Sequence, residues 1–187
     1  MTMIKKVCII GAGTMGSGIA QRSAQSGFKV SMIDRTSELV NNGFSKIKKT
    51  LEDGKKRGKV TDELEKKVLG NIEGTTDLKK GVEGAQLVIE AVFEEFEIKK
   101  KLFEQISELT SKGTIIATNT SSLSVTELSK FVKEPSLFAG LHFFNPAAVN
   151  KLVEVVSGAK TSLETIQSLM EFSRLLEKFT IRVKDST

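Results

Sequence analysis

The sequence predicts an α/β fold of the doubly wound kind, built on a mostly parallel sheet of about eight strands. Three observations predict it. Short β-branched runs alternate with longer amphipathic stretches along the whole chain. A glycine turn, Gly11-Ala12-Gly13-Thr14-Met15-Gly16, follows the first apolar run directly and opens a helical stretch. Polar residues recur just after successive apolar runs, where the strands of an open sheet present their carboxyl ends.

The candidate strands are Lys5 to Ile10, Lys29 to Asp34, Leu87 to Ala91, Thr114 to Thr118, Leu137 to Phe143, Leu152 to Val156 and Phe179 to Val183, with a short one near Ile72. Between them Val40, Phe44, Ile47 and Leu51 repeat at helical spacing, as do Ile98, Leu102, Ile106 and Leu109, and both sets read as core-facing stripes. Two helix starts carry capping boxes, Ser124 with Glu127 and Thr161 with Glu164. The basic segment from Asp53 to Lys59 reads as an exposed helix end or turn. No repeat, low-complexity tract or linker divides the chain, so residues 1–187 are expected to form one domain.

Composition narrows the class. Hydrophobic residues at 39% and charged residues at 27% are globular values, and no apolar run approaches the roughly eighteen residues of a membrane span. The start MTMIKK leads straight into an apolar strand without a signal-peptide pattern, which predicts a cytoplasmic protein. Cys8 is the single cysteine and lies in the first apolar run, so a buried structural thiol is expected. The net charge of +5 comes without Tyr or Trp and with Phe at core-like positions. That combination argues against nucleic acid and suits a phosphate-bearing small ligand.

The glycine turn sits between a strand and a helix, the context its pattern needs before it means a dinucleotide site. Gly11 permits the tight turn, Gly13 lets backbone approach a pyrophosphate, and Gly16 lets helix and strand pack closely. The helix beginning at Thr14 and Met15 then offers free amides and a partial positive charge to phosphates. Asp34 ends the second strand, eighteen residues past Gly16, where a carboxylate accepts from both adenosine ribose hydroxyls. It favours NAD over NADP in a Rossmann-type domain, while the adjacent Arg35 weakens that preference. An FAD site uses the same fingerprint and stays open at this point.

His142 is the only histidine and ends a strand instead of lying in a helix stripe. A dehydrogenase needs a base of near-neutral pKa to take the alcohol proton, and imidazole suits that task. Glu154 stands between Val153 and Val155 on the next candidate strand, where the pattern demands burial, so it requires a partner. If the strands adjoin, Glu154 fixes the imidazole tautomer and stabilises its cation. Ser121 reads equally as a hydrogen-bond donor to substrate or a turn cap, and Asn145 before Pro146 has an ordinary turn reading. The lack of Tyr excludes the Tyr–Lys dehydrogenases, and no His or Cys cluster has metal-ligand spacing.

The segments GAGTMGSGIAQ, VIEAVFEEFEIKKKLF, TNTSSLSVTEL and GLHFFNPAAVNKLVEVV resemble, in order and spacing, the N-terminal domain of the L-3-hydroxyacyl-CoA dehydrogenases. The resemblance implies His142 as general base, Glu154 as its partner and Ser121 on the substrate's 3-oxygen. It also implies Ala91, Val92, Glu94 and Lys99 along NAD, Asn119 and Asn145 near the nicotinamide, and Lys55, Lys56, Arg57 and Lys59 toward the phosphates of CoA. The implied reaction oxidises an (S)-3-hydroxyacyl-CoA to the 3-ketoacyl-CoA. The family often has a proline at Ala147 or Ala148 and a methionine at Asn150. It also continues past Val183-Lys184-Asp185-Ser186-Thr187 into a Pro-Gly-Phe segment and a helical domain, expected to complete the acyl-CoA pocket and make a homodimer. Two other readings stand beside it: a non-catalytic, crystallin-like NAD-binding protein, and a β-hydroxyacid dehydrogenase of the 6-phosphogluconate dehydrogenase type.

Overall fold

A computed structural model describes residues 3–185. β1 (Lys6–Ile10) is followed by α1 (Thr14–Gln25), β2 (Lys29–Ile33), α2 (Ser37–Lys56), α3 (Asp62–Gly70) and β3 (Ile72–Thr75). Next come α4 (Leu78–Val82), β4 (Leu87–Glu90), α5 (Phe96–Leu109), β5 (Ile115–Thr118) and α6 (Val125–Leu128). Two short 3-10 turns lead to β6 (Phe138–Phe143), β7 (Leu152–Ser157), α7 (Leu163–Leu175) and β8 (Phe179–Lys184). The expected strands are present, the seven with stated bounds to within one residue at either end.

The strands form one sheet in the order β3-β2-β1-β4-β5-β6-β7-β8. Neighbours from β3 to β6 run parallel, β6 and β7 are antiparallel, and β7 and β8 are parallel. The reversal at β7 follows from chain length, since the segment between Phe143 and Leu152 is too short for a crossover helix. Strand residues alternate between two cores. Val7 and Ile9 join Ile19 of α1, Ile47 and Leu51 of α2, Val68 of α3 and Phe172 of α7. Cys8 and Ile10 join Val82 of α4, Phe103 and Ile106 of α5, and Leu128 of α6 on the other face. Helices therefore cover both faces, which is why β1, β4 and β5 read as nearly continuous apolar runs.

Cys8 is buried, and burial pushes its thiol up to about 12, so it is structural and inert. No described helix is long and apolar enough to cross a membrane. The basic segment after α2 is a helix end, closed by Gly58 at φ +68°.

Two local expectations are corrected. α7 is capped by Ser162, whose Oγ accepts the Thr165 amide, because Thr161 turns its hydroxyl to the Phe138 carbonyl instead. The buried stripe of α5 is Lys99, Phe103 and Ile106, while Ile98 and Leu109 are exposed. A buried lysine is what rotates the helix, and its partner lies in the candidate site.

Candidate functional site

β1 and β4 are neighbours whose chains depart in opposite directions, to β2 on one side and β5 on the other, so a crevice opens between their carboxyl ends. The glycine turn fills it. Gly11 adopts φ +106°, and a Cβ there would lie 2.5 Å from the Ala91 carbonyl oxygen. A Cβ on Gly16 would lie 1.7 Å from the Gly11 carbonyl oxygen, so only glycine allows α1 to start this close to β1. Gly13 differs, because a Cβ there would meet nothing within 4 Å. It is exposed, as is Thr14, whereas Met15 is half-buried against the core. α1 carries no side-chain cap and no acidic residue in its first turn, which leaves its opening amides available to an anion.

Asp34 follows β2 and is tied to this turn. Its Oδ2 accepts the Ala12 amide at 2.8 Å and its Oδ1 accepts the Arg35 amide at 2.7 Å. Each oxygen retains acceptor capacity. Arg35 itself is exposed.

The end of β4 carries a buried ionic network. The Lys99 ammonium donates to both Glu90 oxygens, at 2.7 and 2.8 Å, and both side chains are wholly buried. Glu90 also accepts the Thr118 hydroxyl and the Val92 amide. Lys99 lies 3.1 Å from Glu94 as well, and Glu94 Oε1 in turn accepts the Thr120 hydroxyl and the amides of Ser121 and Ser122. Burial acts to raise the Glu94 carboxyl, but the Thr120 hydroxyl, the Lys99 charge and the Ser121 amide outweigh it and hold it below its ordinary value. Lys99 is thus not a residue along the cofactor surface as expected. It lies beneath that surface, because the buried carboxylate of Glu90, with Glu94 beside it, compensates its charge there. Ala91 and Val92 form the half-buried surface above it.

β5, β6 and β7 bring the remaining residues together. Asn119 follows β5 and its Oδ1 accepts the Phe143 amide at 2.9 Å, locking the ends of β5 and β6. Ser121 is exposed beside it, its amide on Glu94 and its hydroxyl without a partner among the described residues. His142 and Glu154 are directly opposed across the antiparallel pair. Their Nδ1 and Oε2 atoms are 2.8 Å apart, with side chains 17% and 27% exposed, dry enough to strengthen the bond yet open to a reactant. A carboxylate only accepts, so Nδ1 carries the proton and Nε2 keeps its lone pair in neutral imidazole.

The loop after β6 returns to the glycine helix. It starts at the exposed Asn145, joined to Pro146 by a cis peptide bond. A Cβ on Gly18 of α1 would lie 3.1 Å from the Ala147 side chain, so loop and helix pack closely. Thr14, Arg22, Asn145 and Pro146 line a cleft together with Lys46, Lys49, Thr50, Arg57 and Lys59. One of the expected phosphate contacts is committed elsewhere. Lys55 pairs with Asp62 and Glu65 of α3, whose hydrogen bonds hold its ammonium above the ordinary lysine value. Lys56 is exposed and lies 3.5 Å from Asp53.

The sequence profile of the family described as "3-hydroxyacyl-CoA dehydrogenase, NAD binding domain" matches residues 6–186. The chain belongs to that family. The mitochondrial hydroxyacyl-coenzyme A dehydrogenase of Sus scrofa is 38% identical over 189 residues, a match spanning 98% of this chain and 60% of the relative. The 3-hydroxybutyryl-CoA dehydrogenase of Clostridioides difficile is 38% identical over 97% of this chain and 64% of its own. The crystal structure of (S)-3-hydroxybutyryl-CoA dehydrogenase from Ralstonia eutropha superposes with a TM-score of 0.96 at 38% identity, over 98% of this chain and 65% of that one. The chain spans about 60% of the length of the curated relative matched first.

The residues present fit the dinucleotide that the family is named for. Gly13 offers bare backbone beside uncapped amides, and Asp34 stands at the neighbouring strand end with both oxygens oriented by backbone donors. Glu94 and Lys99 entered as site residues only through the resemblance, and neither the Glu90–Lys99 ion pair nor the burial of Lys178 was read from the sequence. The one signal was a carboxylate, Glu90, ending an otherwise apolar strand.

Proposed function

We propose that this chain supplies the NAD-binding half and the general base of an (S)-3-hydroxyacyl-CoA dehydrogenase. The observation that carries the reading is the His142–Glu154 pair, which lies, like the glycine turn, toward the carboxyl ends of the parallel strands. NAD, when bound, supplies a hydride acceptor at its nicotinamide ring. Gly13, the α1 amides and Asp34 would hold the dinucleotide, and Asn145 would serve its nicotinamide end. His142 Nε2 accepts the proton of the substrate's 3-hydroxyl as the carbon becomes a ketone. Glu154 holds Nδ1–H and stabilises the imidazolium that results. Ser121 hydrogen-bonds the 3-oxygen from the opposite loop, its position set by Glu94.

The cleft residues Lys46, Lys49, Arg57 and Lys59 suit the phosphates of CoA. A helical domain following this chain would complete the acyl pocket and carry a dimer contact, in keeping with the greater length of the relatives. The test joins the chain to such a domain and follows NADH formation from (S)-3-hydroxybutyryl-CoA. His142→Ala is expected to lower the rate by roughly a hundredfold or more while NADH still binds. A near-normal rate in that variant would remove His142 as base. Tight NADH binding with no turnover by the parent would favour a non-catalytic binding protein.

A further inference from the structure

Lys178 precedes β8 and is only 7% exposed, yet no carboxylate among the described residues lies within ion-pair distance of it. Its Nζ donates to the Ala147 carbonyl at 2.8 Å and to the Asn150 carbonyl at 2.5 Å. A buried ammonium without a counter-charge is costly, and an apolar side chain would fill the site more cheaply. What it gains is confined to two carbonyls of one loop. That loop begins at Asn145, three residues past His142, and is pressed on its other side against Gly18 of the glycine helix. The Pro146 carbonyl accepts the Val149 and Asn150 amides, so the segment is a single tight turn closed by its own backbone.

We propose that Lys178 is a positioning residue of the dinucleotide site, fixing the Asn145–Asn150 turn in the shape that receives the nicotinamide half of NAD. The inference rests on the NAD reading above and adds a residue to it. Lys178 touches neither cofactor nor reacting atoms. It acts through the turn, and the adenosine half, held by Gly13 and Asp34, lies outside its reach.

Burial, together with the charges of Arg22 and Lys151, pushes the Lys178 ammonium down to about 8. The charged groups around it are Arg22 from α1, whose guanidinium holds Glu177, and Lys151 before β7. Lys46, Lys49, Asp53 and Arg57 line the same cleft. Of these only Glu177, held by Arg22, and Asp53 are acidic, and neither lies within ion-pair distance of Lys178. Deprotonation weakens both charge-assisted bonds, so the grip on the turn loosens as pH rises through about 8.

Fluorescence titration of the 187-residue chain with NADH, and competition with ADP-ribose, test this directly. Lys178→Met is expected to weaken NADH binding roughly tenfold and ADP-ribose binding less than about twofold. Lys178→Arg keeps a permanent charge and donors, so it should recover most of the loss and flatten the decline in NADH affinity above about pH 8. Unchanged NADH affinity in Lys178→Met, or an equal loss of NADH and ADP-ribose, would overturn the proposal. If the parent binds ADP-ribose and not NADH, the nicotinamide assignment falls and this inference with it. If the parent binds neither, the NAD reading itself is refuted.

Discussion

Lys99 and Glu90 place opposite charges 2.7 Å apart with neither side chain exposed, at the base of the loop that presents Ser121. Removing one partner of such a pair strands the other charge in a dry core. Lys99→Met is therefore expected to cost about 3–5 kcal/mol in urea unfolding, whereas Glu90→Gln combined with Lys99→Met should recover a large part of it. The neutral amide can still accept the Val92 amide that Glu90 Oε1 now holds. A single variant as stable as the parent would show that the pair is not the anchor described.

Gly16 and Gly13 of the turn separate folding from binding. Gly16→Ala forces a Cβ against the Gly11 carbonyl, a clash of backbone with side chain that no rotamer relieves. The expected loss is about 3 kcal/mol of stability, read by thermal or urea unfolding. Gly13→Ala meets open space, so its stability should change by no more than about 0.5 kcal/mol while NADH affinity falls roughly tenfold or more. Retained NADH affinity in the stable Gly13 variant would remove this surface from the pyrophosphate.

Strand positions were legible because hydrophobic periodicity is a local property of the chain. The His142–Glu154 pair was legible for a related reason: Glu154 interrupts an apolar run, and the preceding strand carries the only histidine next to its last residue. The α5 stripe failed where a distant partner decided the outcome. Lys99 faces the core because Glu90 is there, nine residues away on another element, and the stripe shifts to Lys99, Phe103 and Ile106. Thr161 lost its cap role in the same way, to a carbonyl on β6. The resemblance offered Lys55 as a contact for the phosphates of CoA, but α3 folds back and offers it Asp62 and Glu65. In each case a side-chain contact beyond the local window overrode the pattern.

Two carboxylates grip the Ser121 segment from opposite ends, and both are sensitive to acid. Glu94 holds Thr120, Ser121 and Ser122, while Asp185, just past β8, accepts the Ser124 hydroxyl and the Val125 and Thr126 amides. Burial acts to raise the Asp185 carboxyl, yet its bonds to Thr126, Ser124 and Val125 prevail and hold it below its ordinary value, as happens at Glu94. A depressed folded pKa means that the unfolded chain binds the proton more readily. The stabilisation is therefore complete above the ordinary values, 4.5 for Glu94 and 3.8 for Asp185, and is lost as pH falls below them. Melting temperature should be level from about pH 7 to about pH 5 and then drop, with amide exchange at Ser121 and Val125 accelerating in step. Glu94→Gln should lower the melting temperature at neutral pH and make the acid drop shallower, since the group that titrates is gone. Asp185→Asn should do the same and speed exchange at Val125 more than at Ser121. An acid profile identical to the parent's in both variants would place the acid sensitivity elsewhere in the fold and leave the Ser121 segment held by other contacts.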